Sequence, residues 1–183
     1  MTINATYGAP HPHHHARVVI DATHANAHSG WLFRAWQKNA DGAQVADDAQ
    51  QSFVIDLSAS GVGEDIHLII AAIAGGDSEL QIWEGITYSG GSDATLYNMH
   101  RTSSHTMAGG TVVVKTGCTI TTAGKTQLDG EWVPGGVKQQ ALGGGSRGGE
   151  EWILAAGKVY AVILINRAGS AKDMSLRITC YED

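Results

Sequence analysis

Charge is scarce in this chain. Of its 183 residues only 16% are charged, 12 Lys or Arg against 18 Asp or Glu, for a formal net charge of −6. Soluble domains carry roughly 25%. A surface this poor in charge fits two readings: part of it is covered by another protein, or it is a Ser/Thr/Gly-rich β-protein surface. No Lys/Arg-rich run occurs. The basic face that displaces counterions from nucleic acid is missing, so no direct nucleic-acid contact is expected. Cysteine is nearly absent too: Cys118 and Cys180 have neither CxxC nor metal-ligand spacing. Nothing in the sequence brings them together, so buried free thiols are expected, in line with intracellular synthesis. No apolar run reaches membrane length. The longest, Ile66 to Ala74, is interrupted by His67 and is about half a span. Met1 to Pro12 has neither the basic start nor the apolar run of a signal peptide. These features predict a soluble protein made in the cytoplasm, with no membrane partner. Helical periodicity is lacking as well. The best helical candidate, Asn39 to Gln51, has no apolar face and is expected as a loop or one short turn.

Glycine, by contrast, is abundant, with 24 copies against 3 prolines. It recurs as Gly75-Gly76, Gly90-Gly91, Gly109-Gly110, Gly135-Gly136, Gly143-Gly144-Gly145 and Gly148-Gly149. Glycine tolerates positive φ, so such pairs predict turns. Between them lie short runs rich in β-branched residues. Strands are predicted at 17–21, 31–36, 52–57, 66–74, 80–83, 111–115, 151–154, 159–165 and 174–181. The run 66–74 is nearly continuous, as in a strand buried on both faces. In the last strand Met174, Leu176, Ile178 and Cys180 share one side, and Ser175, Arg177, Thr179 and Tyr181 the other. This spacing predicts an all-β fold, a jelly-roll-type antiparallel β-sandwich spanning 17–183, preceded by an extended N-terminal arm over 1–16. Such an arm is either disordered or clamped on a neighbouring subunit. Segments 86–98 and 119–133 share a β-branched start and a Gly-containing turn. They read either as equivalent hairpin loops on the two halves of a sandwich or as convergent turn chemistry.

Several motifs invite a chemical reading. His11, His13, His14 and His15, with His24 and His28, could hold a metal on a symmetry axis. Consecutive histidines in an arm lack rigid geometry, and no carboxylate stands at ligand spacing, so no metal or cofactor is expected. Gly144-Gly145-Ser146-Arg147-Gly148 matches GxSxG, but the hydrolase elbow needs a strand before it and a helix after it. Here glycines precede and the strand-like Glu151 to Leu154 follows. Gly124-Lys125-Thr126 resembles the end of a phosphate loop, yet Thr119 stands where the motif needs glycine, and no helix pattern follows. Asp47-Asp48, Glu64-Asp65 and Glu150-Glu151 are adjacent carboxylates. Neighbours on an extended chain point to opposite sides, so solvated surface charge is expected. Trp31, Trp36, Trp83, Trp132 and Trp152 could form a sugar-stacking face, but they sit mostly inside apolar strands, where core packing is commoner. No catalytic residue is expected, and the chain reads as a scaffold.

A set of ordered stretches resembles a family of small jelly-roll structural proteins of tailed phages, the capsid decoration or cement proteins. His28-Ser29-Gly30-Trp31-Leu32-Phe33 is similar to the family's entry into its first strand. Ile66-His67-Leu68, then Gly75-Gly76-Asp77 and Leu80-Gln81-Ile82-Trp83-Glu84-Gly85, follow its strand, turn and acidic strand end. Tyr97 to Ser104 resembles an Asn-x-Asn-Arg-x-Ser segment, with His100 at a usual Asn. Gly143 to Leu154, Tyr160 to Asn166 and Cys180-Tyr181-Glu182 complete the likeness, which covers roughly 24–183. The His-rich arm has no counterpart. The resemblance implies a non-enzymatic virion protein on the capsid surface, assembled as a homo-oligomer, dimer or trimer. Its partner would be the major capsid protein, whose subunits it bridges, with the arm and loops 86–98 and 119–149 as contacts. Alternatives are a receptor- or glycan-binding module of a fibre, a virion spike, and a cupin-like metalloenzyme using His24 and His28.

Overall fold

The computed structural model describes residues 22–40, 43–59, 65–107, 111–135 and 144–182. The arm over 1–16, the strand expected at 17–21, His11, His13, His14, His15 and Glu64 lie outside the described residues. One helix, α1 (Ala22–Ser29), precedes eleven strands: β1 (Leu32–Lys38), β2 (Gln50–Asp56), β3 (Ile66–Ala74), β4 (Ser78–Glu84), β5 (Thr87–Asp93), β6 (Tyr97–Asn98), β7 (Val113–Thr121), β8 (Thr126–Val133), β9 (Gly144–Leu154), β10 (Val159–Asn166) and β11 (Met174–Glu182). They form two sheets, in the orders β6-β1-β11-β3-β9 and β5-β7-β2-β10-β4-β8. Every pairing is antiparallel. From β1 to β4 the chain alternates between sheets, and it does so again from β8 to β11.

Alternation along the strands decides what is buried. From the five-stranded sheet Phe33, Ala35, Ile66, Leu68, Ile70, Leu176, Ile178 and Cys180 face inward. They meet Phe53, Ile55, Leu80, Ile82, Tyr160, Val162 and Leu164 of the six-stranded sheet. Each fully buried aliphatic side chain contributes about 1.5–3 kcal/mol, so this contiguous interior is what holds the two layers together. The all-β sandwich anticipated from the spacing is the observed architecture. The hydroxyl of the buried Tyr160 is not stranded there: it donates to Glu84 Oε2 at 3.2 Å and accepts from the Ala155 N–H at 3.0 Å.

A second apolar cluster lies on the other side of the six-stranded sheet. Val54, Ala161 and Ile163 alternate with the core residues of β2 and β10, so they point outward, yet they are at most 4% exposed. Ile86, Cys118, Tyr88 and Ile120 cluster with them. The β5–β7 ribbon therefore packs over this outer face. Tyr88 of β5 also donates to Asp56 Oδ2 of β2 at 2.7 Å, fastening the ribbon to the sheet. Within the ribbon Gly91 has φ +80°, and a Cβ there would lie 2.4 Å from Cys118 Sγ, so only glycine fits.

Several sequence expectations are corrected. A short helix lies at 22–29, where no helical stripe predicted one. Its C-terminus closes with a Schellman pair, Trp31 N to Asn26 O at 2.9 Å and Gly30 N to Ala27 O at 3.3 Å. Gly30 there has the left-handed φ of +81° that such a cap requires. Residues 43–49 are a loop, as anticipated, joined to the body by the Val45–Lys172 bridge. Gly75-Gly76 turns between β3 and β4, but Gly90-Gly91 and Gly144 to Gly149 lie inside β5 and β9. Paired glycines also suit a bulged strand, which is why the turn rule misplaced them. The segments 86–98 and 119–133 are not equivalent hairpins on two half-sandwiches. Their main strands β5 and β8 form opposite edges of one sheet. Finally, β3 is not buried on both faces, because Ile73 is 56% exposed.

Candidate functional site

The ribbon covers Val54, Ala161 and Ile163 on one outer face, where Trp132 remains exposed; on the outer face of the five-stranded sheet none of the described residues forms such a cover over Trp36 and Ile73. The side chains of the latter face follow from register. Leu32, Tyr181, His67 and Ile153 form one row across β1, β11, β3 and β9. Arg34, Thr179, Ile69 and Glu151 form the next, and Trp36, Arg177 and Ala71 the third. Lys38, Ser175 and Ile73 form the fourth.

The third and fourth rows, with Arg34, line a concavity of about 350 Å³. Trp36 is 52% exposed on its floor. Its ring stacks on Tyr97 of β6, with centroids 4.8 Å apart and planes 27° from parallel. Cations flank this aromatic pair. Arg177 stands directly across from Trp36, while Arg34 and Lys38 sit two residues to either side of it on β1. Arg34 donates from Nε to Thr179 Oγ1 at 3.3 Å. Burial, and after it the like charge of Arg177, lowers the Arg34 guanidinium below its ordinary value. By register the two guanidiniums are diagonal neighbours across β1 and β11, both lining the concavity, so their like charges oppose each other there. Among the described residues no carboxylate pairs with Arg34, Lys38 or Arg177. In a chain of net charge −6 this is a local excess of positive charge over an aromatic and aliphatic floor.

The upper end of the face is polar and closed. His67 stacks on Tyr181, with centroids 4.5 Å apart and planes 13° from parallel. Its Nδ1 lies 2.9 Å from Glu151 Oε1, which also accepts from the Tyr181 hydroxyl. Glu151 is exposed, as expected, and is also an acceptor that fastens β9 to β3 and β11.

The other sequence candidates are dispersed. His24 and His28 stand one turn apart on α1, with ring centroids 4.6 Å apart, so they are not inward-facing strand residues of a cupin. Among the described residues no three His, Cys, Asp or Glu side chains come together to hold a metal ion. Ser146 lies within β9 paired with Ala71, with no strand–turn–helix elbow around it. Gly124 and Lys125 lie in the turn between β7 and β8, and Thr126 opens β8. Asp48 pairs with Arg167 at 2.6 Å, and Arg167 also reaches Glu79 at 2.9 Å. Asp47 accepts from the Gly169 N–H at 2.8 Å and Asp65 from the Ala156 N–H at 3.3 Å. Asp47, Asp48 and Asp65 are exposed, as expected of solvated surface charge, and they also brace loops. Cys118 and Cys180 are buried free thiols in separate clusters.

Trp36 and Trp132 correct the expectation of core tryptophans, being 52% and 65% exposed. Trp31, Trp83 and Trp152 are half-buried. The signal for Trp36 was present: Arg34 and Lys38 flank it at the same strand parity, so all three share the solvent face. No protein family, curated protein or solved structure matches this chain.

Proposed function

We propose that this chain is a non-enzymatic virion structural protein, a decoration or cement protein that binds the outer surface of a tailed-phage head and bridges major capsid subunits. The observation that carries the reading is the asymmetry of the sandwich. The chain's own ribbon covers the Val54–Ala161–Ile163 patch of one outer face, where Trp132 stays exposed, and the other face carries cations that no carboxylate among the described residues pairs, beside the half-exposed Trp36 and Tyr97. An open face of this kind, repeated by lattice symmetry, lets modest contacts add into firm attachment. The strand order supports a jelly roll. Setting aside the inserted β5, β6 and β7, the remaining eight strands run 1-8-3-6 in one sheet and 2-7-4-5 in the other. Jelly rolls recur in viral capsid domains, and the likeness of 24–183 to phage cement proteins points the same way. Dimeric or trimeric assembly belongs to this reading.

A second reading, a receptor- or glycan-binding module of a fibre or spike, draws on the Trp36–Tyr97 pair, since sugars stack on exposed aromatic planes. One experiment separates the two. Phage heads assembled without this chain are incubated with the purified protein and imaged by cryo-electron microscopy. Density at repeated lattice positions between major capsid subunits is the expected result. Bare heads at saturating protein refute the cement reading and leave the glycan module.

A further inference from the structure

We infer that the shell-gripping surface is the outer face of the five-stranded sheet, and that its occupant is an extended polypeptide segment bearing carboxylate and aliphatic side chains. The inference rests on the cement reading for where that segment comes from, and on this face alone for its chemistry.

The charge pattern sets the sign of the ligand. Arg34, Lys38 and Arg177 surround one concavity, and no carboxylate among the described residues neutralises them. Guanidinium forks accept carboxylates in a bidentate fashion, so an acidic side chain relieves the repulsion between Arg34 and Arg177. The spacing sets the ligand's form. Arg34, Trp36 and Lys38 are alternate residues of one strand, about 7 Å apart. An extended peptide laid along β1 presents its own alternate side chains at the same interval. The floor separates peptide from sugar. Ala71 and the 56% exposed Ile73 offer aliphatic surface, and among the described lining residues Ser175 alone carries a neutral hydroxyl. A glycan needs several such groups to hold its hydroxyls, whereas apolar side chains need a floor like this one.

The test uses the full chain and labelled peptides of about ten residues, alternating Glu with Leu or Lys with Leu, read by fluorescence anisotropy. Tetragalacturonate, an acidic oligosaccharide, serves as competitor. The Glu-Leu peptide should bind at least about tenfold more tightly than the Lys-Leu peptide, and raising salt from about 0.05 M to 0.5 M should weaken it severalfold. The double variant Arg34→Glu/Arg177→Glu and the single variant Lys38→Glu should each lose about tenfold or more. Trp36→Ala should also weaken binding, and Trp132→Ala, exposed on the other sheet, should not. Circular dichroism confirms that each variant is folded.

No binding of the Glu-Leu peptide by the wild type overturns the inference, as does tighter binding of the oligosaccharide. Self-association that disappears in the double variant reassigns the face to contacts between copies and also overturns it. The cement reading fails separately: heads left bare by wild-type protein sink it while the peptide result stands. Heads decorated equally by wild type and double variant sink the face assignment and leave the cement reading intact.

Discussion

Replacing Asn166 with alanine tests how the loops at one end of the sandwich are held. Asn166 ends β10 with its side chain wholly out of solvent. Its amide nitrogen lies 2.9 Å from Val45 O, 3.1 Å from Ala46 O and 2.8 Å from Ser170 O. Its Oδ1 accepts from the Ala168 N–H at 3.0 Å. Two amide hydrogens therefore serve three carbonyls from two loops, so the donation is shared. Asn166→Ala removes two donated bonds and one accepted bond, each worth a net of about 1 kcal/mol. Val45 O keeps its bond from the Lys172 N–H, and Ala46 and Ser170 are exposed, so water replaces part of what is lost. The expected loss is about 2–3 kcal/mol. Asn166→Asp keeps the shape but, when ionised, turns a negative oxygen toward three carbonyls. At neutral pH it should cost at least as much as alanine. Near pH 4 the protonated acid regains a donor, so its deficit relative to wild type should narrow. Urea denaturation followed by tryptophan fluorescence at both pH values gives midpoint and slope for each variant. A loss below about 1 kcal/mol for Asn166→Ala, or wild-type stability of Asn166→Asp at neutral pH, would refute the reasoning.

Three further outcomes are expected. Gly30→Ala places a Cβ 2.3 Å from Ser103 Oγ at a φ of +81°, so it should lower stability by about 1–3 kcal/mol. Adding Ser103→Gly should recover only part of that, because the backbone strain remains. The Asp56–Tyr88 bond should show in a pH profile of Tyr88→Phe. Burial raises the Asp56 carboxyl, but bonds from Ser58 and Tyr88 outweigh it and leave the group below its ordinary value. Its contribution is present above the unfolded carboxylate range and is lost as pH falls through the depressed value. Tyr88, whose bond to Asp56 pushes it up to about 12, contributes below its unfolded value near 10 and loses that contribution as pH rises toward 12. The wild-type advantage over Tyr88→Phe should therefore be flat from about pH 5 to 9 and shrink on both sides, as chemical denaturation would report. Lastly, burial pushes the Cys180 thiol up to about 12. A thiol reagent should leave Cys180 unmodified in the native protein and modify it at once in guanidinium. Rapid native labelling of Cys180 would contradict its placement in the interior.

Much of the sandwich was legible because period-2 alternation is a local property. The inward set Met174, Leu176, Ile178 and Cys180 could be read directly from MSLRITCY. So could the outward set containing Arg177. What local reading could not supply was pairing. β5 and β8 carry glycine and polar residues without a clean apolar stripe, and they are strands because β7 and β4 offer them hydrogen-bonding edges. The glycine run 144–149 extends β9 for the same reason, since β3 provides the partner backbone. α1 escaped notice because eight residues cannot show a repeated stripe, while the Gly30 cap that ends it was visible as a lone glycine.

The open face was hidden by a different kind of non-locality. Alternation assigns Val54, Ala161 and Ile163 to one face and Trp36, Arg34 and Lys38 to another, and both sets lie outside the sandwich interior. Sequence parity alone would expose both. Which of them meets solvent depends on where β5 and β7 lie. Ile86 and the ribbon's Tyr88, Cys118 and Ile120 pack on Val54 and Ile163 as the covering layer. Apolar residues facing outward on β2 and β10 therefore demand an intramolecular cover, and they have one. Trp36 and Ile73, on the opposite face, have none among the described residues and are mixed with cations that a folded interior would reject. A face with aromatic surface that favours burial and charges that resist a dry core is matched by a partner that is part apolar and part acidic. That pairing of properties, not either one alone, makes the five-stranded sheet the side of the molecule to mutate first.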